Sequence, residues 1–202
     1  MLTPYRDRVR WLGEALARPF LRLGFSPNAL TLLGLGLGLG ACLLFVWNRN
    51  SVLFGTLILC LGFFDFLDGS LARLAGRVTK FGGYLDAVCD RIFELAAALA
   101  AAYVSGHWVL LFLLLGGSML ISYTKARAAL EIPISNTEWP DLMERMERGV
   151  FFVAGLILWG IFPGRFAGQD LFFWTLVGLN LAVFATVMQR LWRAKRLMEQ
   201  RG

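Results

Sequence analysis

Six apolar segments dominate this chain, and each is separated from the next by only a short polar stretch. They lie at about 29–47, 52–75, 82–105, 108–130, 148–163 and 168–192. A helix needs roughly 20 apolar residues to cross a bilayer. The chain is 57% hydrophobic and 17% charged, with a mean hydropathy of +0.62, whereas soluble domains carry about a quarter charged residues. The pattern predicts an all-α integral membrane protein with six transmembrane helices.

Residues 1–25 have a different character from the rest of the chain. Apolar residues recur there at helical spacing, namely Val9, Leu12, Leu16, Phe20 and Leu23. Arginines surround that apolar stripe, namely Arg6, Arg8, Arg10, Arg18 and Arg22. This pattern is typical of a basic amphipathic helix on a membrane surface. We therefore expect an N-terminal interfacial helix at 1–25, followed by a six-helix transmembrane domain at 26–202.

The start of the first apolar segment carries two local signals. Pro27 is suited to the first turn of a helix, and Ser26 or Asn28 could cap it. The following "GLGLGLG" places Gly34 and Gly38 on one helix face, and Gly36 and Gly40 on another. Because no strand or lysine accompanies these glycines, they predict close helix packing rather than a nucleotide-binding loop.

The distribution of basic residues predicts the orientation of the helices. Cytoplasmic loops of membrane proteins are enriched in lysine and arginine. Six spans put both termini on one side, and that side receives nearly all basic residues near the segment ends. Only Arg49 and Arg165 lie between spans on the other side. We therefore expect both termini, and the polar residues between the second and third segments, to face the cytoplasm from the cell membrane.

Composition also argues against several other functions. Cys42, Cys60 and Cys89 lie in apolar runs without a CxxC pair, so they indicate small core residues rather than a disulfide or zinc site. His107 is the only histidine and precedes an apolar run, which favours a role at the membrane interface. The net charge of +6 indicates anionic lipids or phosphorylated substrates in a membrane protein, and not nucleic acid.

Four aspartates interrupt some of the most apolar sequence in the chain. Asp65 and Asp68 are three residues apart near the end of the second segment, and Asp86 and Asp90 are four apart near the start of the third. Each spacing places a pair on one helix face. Since a short turn joins these segments, we expect antiparallel neighbouring helices on which the carboxylates converge. Such carboxylates would repel unless divalent cations lay between them, which predicts a site for two Mg²⁺ or Mn²⁺ ions.

Residues beside these aspartates are suited to a phosphorylated ligand. Gly69 and Ala72 are small, and Arg73 supplies a cation that could meet a phosphate. Gly82 and Gly83 open the third segment, where a ligand could approach the main chain. Competing interpretations are solvated loop aspartates, helix caps, packing glycines, and a cation or proton pathway in a transporter.

The full pattern resembles the signature of the CDP-alcohol phosphotransferase family. That signature is D-x-x-D-G-x-x-A-R followed by G-x-x-x-D-x-x-x-D. All eight positions match, at Asp65, Asp68, Gly69, Ala72, Arg73, Gly82, Asp86 and Asp90. The resemblance extends to the layout of the chain, which includes the P-N-x-x-T start and six segments.

This resemblance implies an enzyme that displaces CMP from a CDP-linked lipid, usually CDP-diacylglycerol, with an alcohol. It implies that Asp65, Asp68 and Asp86 are metal ligands and that Asp90 is both a ligand and the general base. The donor would contact Asp68, Gly69, Ala72, Arg73 and Gly82. A homodimer is also implied.

Basic residues at three segment ends suggest a pocket for a second phosphate. Lys125 lies in "SYTKARA", Arg145 and Arg148 lie in "ERMER", and Arg190 lies in "QR". These elements resemble the phosphatidylinositol-phosphate synthase branch of the family, where they line the inositol-phosphate site. Met146 stands where the resemblance predicts proline, and the "NTEWPDLM" lead-in is a second departure from the pattern. The competing interpretation is that these residues only anchor the topology.

The expected function is therefore transfer of a phosphatidyl group from CDP-diacylglycerol, or an archaeal CDP-lipid, to a phosphorylated polyol. Inositol phosphate is the favoured acceptor. The alternatives are glycerol 3-phosphate as acceptor, CDP-inositol as donor, and a cation or proton transporter.

Overall fold

A computed structural model describes residues 17–76, 78–132 and 142–201. The side chains at positions 63, 65, 66, 68 and 201 also lie outside the description. Most of the predicted N-terminal amphipathic helix, including Arg6, Arg8 and Arg10, falls before residue 17. Residues 17–22 are helical.

Six long helices make up most of the described chain. They are α1 (Pro27–Asn48), α2 (Ser51–Leu74), α3 (Lys80–Ser105), α4 (Trp108–Glu131), α5 (Arg145–Ile161) and α6 (Leu171–Arg201). A two-stranded antiparallel hairpin of β1 (Arg165–Phe166) and β2 (Gln169–Asp170) precedes α6. The sequence did not predict this hairpin, because two-residue strands are too short to show an alternating pattern.

Three of the helices are long and apolar enough to cross a membrane, within the part of the chain that the structure describes. They are α1, α4 and Leu171–Gln200 of α6. Among the described residues of α2, the apolar stretch Ser51–Gly62 is shorter than a membrane span, and α5 has only 17 residues. The all-helical membrane class is thus confirmed, while the count of six spans stays a prediction.

The structure confirms the cap and the proline that the sequence indicated at the start of α1. The Ser26 hydroxyl accepts a hydrogen bond from the Ala29 N–H at 3.2 Å, and Pro27 is the first helical residue. At the other end, Arg49 takes a left-handed conformation with φ of 52°. The Asn50 side chain then accepts from the Leu53 N–H at 2.9 Å and begins α2.

The described residues form two compact units. Unit 1 comprises the described residues of Met1–Arg49 and Thr56–Ala100. Unit 2 comprises the described residues of Asn50–Gly55 and Ala101–Gly202. In unit 1, α1 packs against α2 through Leu30, Leu67 and Leu71. The motif aspartates all belong to unit 1.

The glycine-rich stretch of α1 allows a close helix contact at one of its glycines within the described chain. A Cβ on Gly38 would lie 2.7 Å from Phe93 of α3, and one on Gly34 would lie 3.8 Å from Phe64 of α2. Gly38 confirms the prediction of close packing, whereas the contact at Gly34 is an ordinary van der Waals distance that a Cβ would fit. No described residue lies within 4 Å of a Cβ on Gly36 or Gly40, so the prediction is not tested for that face within the described chain.

The cysteines follow the prediction in two cases out of three. Cys42 and Cys89 are buried, as expected of small core residues. Cys60 is exposed, because its face of α2 is not covered by another helix of the described chain. All three are free thiols.

Unit 2 is organised around α6, which packs against both α4 and α5. Ile121, Val183 and Val187 form the core between α4 and α6. Buried Asn180 reinforces this contact, since its amide donates to the Leu110 carbonyl at 3.0 Å.

A polar contact between two connections supports the beginning of α6. His107 Nε2 lies 3.0 Å from the carboxylate of Asp170, which also accepts from the Phe173 N–H at 2.8 Å. The single histidine is thus tied to a helix start rather than to the motif aspartates.

Candidate active site

The first half of the aspartate motif lies on α2. Positions 65 and 68 are helical, although their side chains lie outside the described residues. Arg73, in the last turn, turns back along the helix and donates from Nη2 to the Ser70 hydroxyl at 2.9 Å. Its cationic group therefore lies beside Ser70, which is two residues after Asp68 on the same helix.

Gly69 leaves space beside that arginine. A Cβ at Gly69 would lie 3.5 Å from Arg73 Nη1, an ordinary van der Waals distance. A glycine inside a helix costs roughly 0.5–1 kcal/mol relative to alanine. Since packing within the described chain does not require this glycine, the space beside it suits a ligand.

The second half of the motif lies in the first three turns of α3. Asp86 and Asp90 are both half-buried. Because a helix rises 1.5 Å per residue, they lie about 9 and 15 Å along α3 from Lys80. By the same rise, Asp68 and Asp65 lie about 9 and 14 Å back from Leu74 on α2. The two pairs therefore lie at matching depths from the 75–79 connection.

Helix α1 holds both motif helices. It meets α2 at Phe64, next to Asp65, and meets α3 at Phe93, three residues beyond Asp90. These contacts show that apolar packing against α1 positions the two helices that carry the motif. Convergence of all four stays a prediction, because Asp86 and Asp90 form no cluster of three possible metal ligands with other described side chains.

The start of α3 brings in a residue that sequence reasoning did not place in the site. The Thr79 hydroxyl accepts from the Gly82 N–H at 2.9 Å. A Cβ on Gly82 would lie 3.1 Å from that hydroxyl and 3.3 Å from Asn28 Oδ1. Gly82 therefore permits a close approach of Asn28 to the start of α3. The P-N-x-x-T element was the available signal, but its spacing alone indicated only a helix start.

Two of the basic residues expected to bind the acceptor lie close together in unit 2. Buried Arg190, on α6, donates from Nη1 to the main-chain carbonyl of Ile121 on α4. Lys125 is half-buried and lies one turn after Ile121 on α4. The contact between the two helices therefore brings Arg190 and Lys125 to the same region.

Arg148 lies in the same region, because the segment that precedes α5 contacts both Arg148 and α6. Its side chain is only 6% exposed and donates to the Met143 carbonyl at 3.0 Å. The adjacent Leu142 N–H donates to Gln189 on α6 at 3.0 Å. This link places the Arg148 region beside Arg190. Arg145, in contrast, is exposed.

The "ERME" sequence fixes where α5 begins. Glu144 and Glu147 form a reciprocal capping box, in which the Glu144 N–H donates to the Glu147 carboxylate at 2.6 Å. Such boxes satisfy main-chain donors at helix starts. These glutamates therefore hold the turn from which Arg148 projects.

Comparison with known proteins gives a consistent result. The family model for CDP-alcohol phosphatidyltransferase matches residues 25–188. The chain is 37% identical over 159 residues to archaetidylinositol phosphate synthase of Pyrococcus horikoshii, covering 77% of this chain and 82% of that protein. It is 34% identical over 199 residues to phosphatidylinositol phosphate synthase of Corynebacterium glutamicum, covering 92% and 85%.

Solved structures show the same relationship. Mycobacterium tuberculosis phosphatidylinositol phosphate synthase with CDP-DAG bound matches with a TM-score of 0.78 and 27% identity, over 90% of this chain and 92% of that one. The same enzyme in complex with manganese and citrate matches with a TM-score of 0.78 and 26% identity, over 90% and 88%. The resemblance predicted from the aspartate motif is confirmed, and this chain belongs to the CDP-alcohol phosphatidyltransferase family of membrane enzymes.

Proposed function

We propose that this enzyme transfers the phosphatidyl group of CDP-diacylglycerol, or of a related archaeal CDP-lipid, to inositol phosphate. The products are CMP and a phosphatidylinositol phosphate. The observation that carries this proposal is the structural match, over 90% of the chain, to a phosphatidylinositol phosphate synthase with CDP-DAG bound. Burial of Arg148 and Arg190, at 6% and 5% exposed, supports a phosphorylated acceptor, because charged groups at membrane depth usually serve function.

The chemistry follows from the proposed roles of the residues. Asp90 takes the proton of the acceptor hydroxyl, whose oxygen forms a bond to the phosphorus that carries the diacylglycerol. The bond between that phosphorus and the CMP oxygen breaks, and CMP leaves. Arg73, Gly69, Ala72, Gly82 and Asp68 hold the cytidine diphosphate group. Lys125, Arg148 and Arg190 hold the acceptor's phosphate, and exposed Arg145 is the fourth basic residue assigned to it.

The carboxylates fit a divalent metal. Asp86 and Asp90 are half-buried one turn apart on α3, and carboxylate oxygens are the ligands that Mg²⁺ and Mn²⁺ prefer. Together with Asp65 and Asp68, these two aspartates would hold two metal ions. When bound, the ions would neutralise the charge of the donor's diphosphate. A related structure in complex with manganese supports a divalent ion.

We extend the proposal to the membrane arrangement. The six helices α1–α6 cross the membrane, 1–25 lies on its surface, and both termini and the aspartates face the cytoplasm. The asymmetry of basic residues supports this orientation. The proposed assembly is a homodimer, as the family resemblance implies. Reporter fusions at both termini and at the 163–170 connection test the orientation.

An acceptor panel is the direct test of the proposed reaction. Purified protein with CDP-diacylglycerol should release CMP with inositol phosphate, and only slowly with glycerol 3-phosphate or with unphosphorylated inositol. Faster turnover with glycerol 3-phosphate would assign the enzyme to the alternative acceptor. Turnover of CDP-inositol without CDP-diacylglycerol would reverse the donor assignment. The transporter alternative has no support, since the chain belongs to a family of transferases.

Replacing the basic residues tests the acceptor pocket. Alanine at Lys125, Arg148 or Arg190 should raise the acceptor KM about ten- to a hundredfold, since loss of a charged hydrogen bond costs roughly 1.5–3 kcal/mol. The donor KM should be unchanged. Lys195→Ala is the matched control, because exposed Lys195 on α6 pairs with Glu199 at 3.7 Å.

Arginine-to-lysine variants provide a second test at the two buried positions, in case the alanine variants do not fold. Lysine keeps the charge but loses the planar fork that binds phosphate, so Arg148→Lys and Arg190→Lys should also weaken the acceptor. An acceptor KM at the parent value in all the variants would show that these residues are topology anchors.

Gly69→Ala tests the space beside Arg73. The added methyl fits the described fold, so the melting temperature should be kept or slightly raised. CMP release should fall tenfold or more, because a displaced donor reacts poorly. Gly38→Ala is the matched control: its methyl would lie 2.7 Å from Phe93, and it should cost stability of roughly 1–3 kcal/mol. Parent activity in Gly69→Ala would remove Gly69 from the donor site.

A further inference from the structure

A fully buried serine lies inside the aspartate motif, at a position that the family signature leaves open. Ser70 is 0% exposed and follows Gly69 on α2. Its neighbours Leu67 and Leu71 are also buried, and they pack against Leu30 of α1. By the helical period, Ser70 lies on this packed side of α2. A hydroxyl buried among leucines costs free energy unless it forms a hydrogen bond.

Arg73 is a partner of that buried hydroxyl. Its Nη2 donates to Ser70 Oγ at 2.9 Å, although Arg73 as a whole residue is exposed. An exposed arginine in the last turn of a helix could instead extend into water or to the last main-chain carbonyls. The bond to Ser70 turns the guanidinium back along α2, so that Nη1 lies 3.5 Å from the place of a Cβ on Gly69. A rigid, buried oxygen thus holds a long and flexible cation.

This bond leaves most of the guanidinium available to a ligand. Arginine has five N–H donors, and the printed contact with Ser70 involves Nη2, whereas Nη1 lies over Gly69. An arginine side chain has much rotamer freedom to lose when it binds a phosphate. A cation that is held in place before the ligand arrives loses less of that freedom on binding, which favours binding and orientation of the ligand.

We propose that Ser70 is a positioning residue, whose hydroxyl holds the Arg73 guanidinium over Gly69 for the diphosphate of the CDP-lipid donor. The inference rests on the proposed function, and it adds a residue that the signature does not specify. Because Ser70 is fully buried, it acts through Arg73 and does not touch the donor. The competing role is packing alone, in which Ser70 only fills the contact between α1 and α2.

A double-mutant cycle separates positioning from packing. Ser70→Ala should weaken binding of CDP-diacylglycerol, and of CDP alone, about tenfold, because Arg73 must then lose its rotamer freedom on binding. The donor KM should rise by the same factor, while the acceptor KM stays at the parent value. In an Arg73→Gln background, Ser70→Ala should have no further effect, since the guanidinium that it positions is gone. The same tenfold loss in both backgrounds would overturn the proposal.

Ser51→Ala is the matched control for Ser70→Ala. Ser51 is also a buried serine of α2, at 5% exposed, but it lies at the opposite end of the helix from the aspartates. This control should leave the donor affinity and both KM values unchanged. A lowered melting temperature of Ser70→Ala with parental donor affinity would assign Ser70 to packing alone. Donor affinity is measured without acceptor and needs no turnover, so absence of CMP release from the parent enzyme would instead contradict the proposed function.

Discussion

Asp90→Asn is expected to lower CMP release at least a hundredfold while the protein still binds CDP-diacylglycerol. The amide cannot take the proton of the acceptor hydroxyl, and loss of a general base typically costs 10²–10⁴-fold. Donor binding should be largely kept, because the proposed donor contacts at Arg73 and Gly69 and three of the four proposed metal ligands stay in place. Single-turnover CMP release and donor binding, measured on the same preparation, separate the two effects.

Asp170→Asn is the matched control for that variant. Asp170 accepts from the Phe173 N–H at the start of α6, and asparagine caps helices about as well as aspartate. This control should keep parental turnover. Turnover of Asp90→Asn within a few-fold of the parent would remove Asp90 from the role of base.

Chelation with EDTA is expected to abolish turnover, and added Mg²⁺ or Mn²⁺ should restore it. Without cations the four carboxylates repel each other, and the diphosphate of the donor adds further negative charge. Because metal binds only the folded site, its removal should also lower the melting temperature. An ion at a hundred times its Kd stabilises a protein by about 2.7 kcal/mol.

The triple variant with Asp65, Asp68 and Asp86 changed to Asn controls for indirect effects of the chelator. It removes most of the proposed ligands, so EDTA should no longer shift its melting temperature. Full activity of the parent in excess EDTA would contradict the two-metal proposal. If metal analysis of the active enzyme finds a single ion per chain, the proposed number of two ions is wrong.

Local spacing allowed much of the active-site prediction. Three- and four-residue separations place Asp65 with Asp68 and Asp86 with Asp90 on helix faces whatever the helices pack against, because the helical period is a property of the main chain. Ser26 and Pro27 likewise marked the start of α1, since capping involves only residues within one turn.

Packing across the chain decided what local spacing could not. "GLGLGLG" presents two equivalent glycine faces. Only the position of Phe93 shows that Gly38 allows a close helix contact, whereas no described residue lies within 4 Å of a Cβ on Gly36 or Gly40. The exposure of Cys60 has the same origin. An apolar run shows that a helix is buried in lipid or protein, but not which face meets protein.

The basic residues also show the difference between what local spacing predicted and what packing decided. Sequence alone placed Lys125, Arg145, Arg148 and Arg190 near helix ends and assigned all four to one pocket. In the fold, Arg148 and Arg190 are buried against main-chain carbonyls of Met143 and Ile121, while Arg145 is exposed. Two contacts in this region join distant parts of the chain: Arg190 donates to the Ile121 carbonyl, and the Leu142 N–H donates to Gln189, 47 residues away in sequence. Helix periodicity therefore determined which residues share a face, and long-range contacts determined which of those faces are buried against another helix.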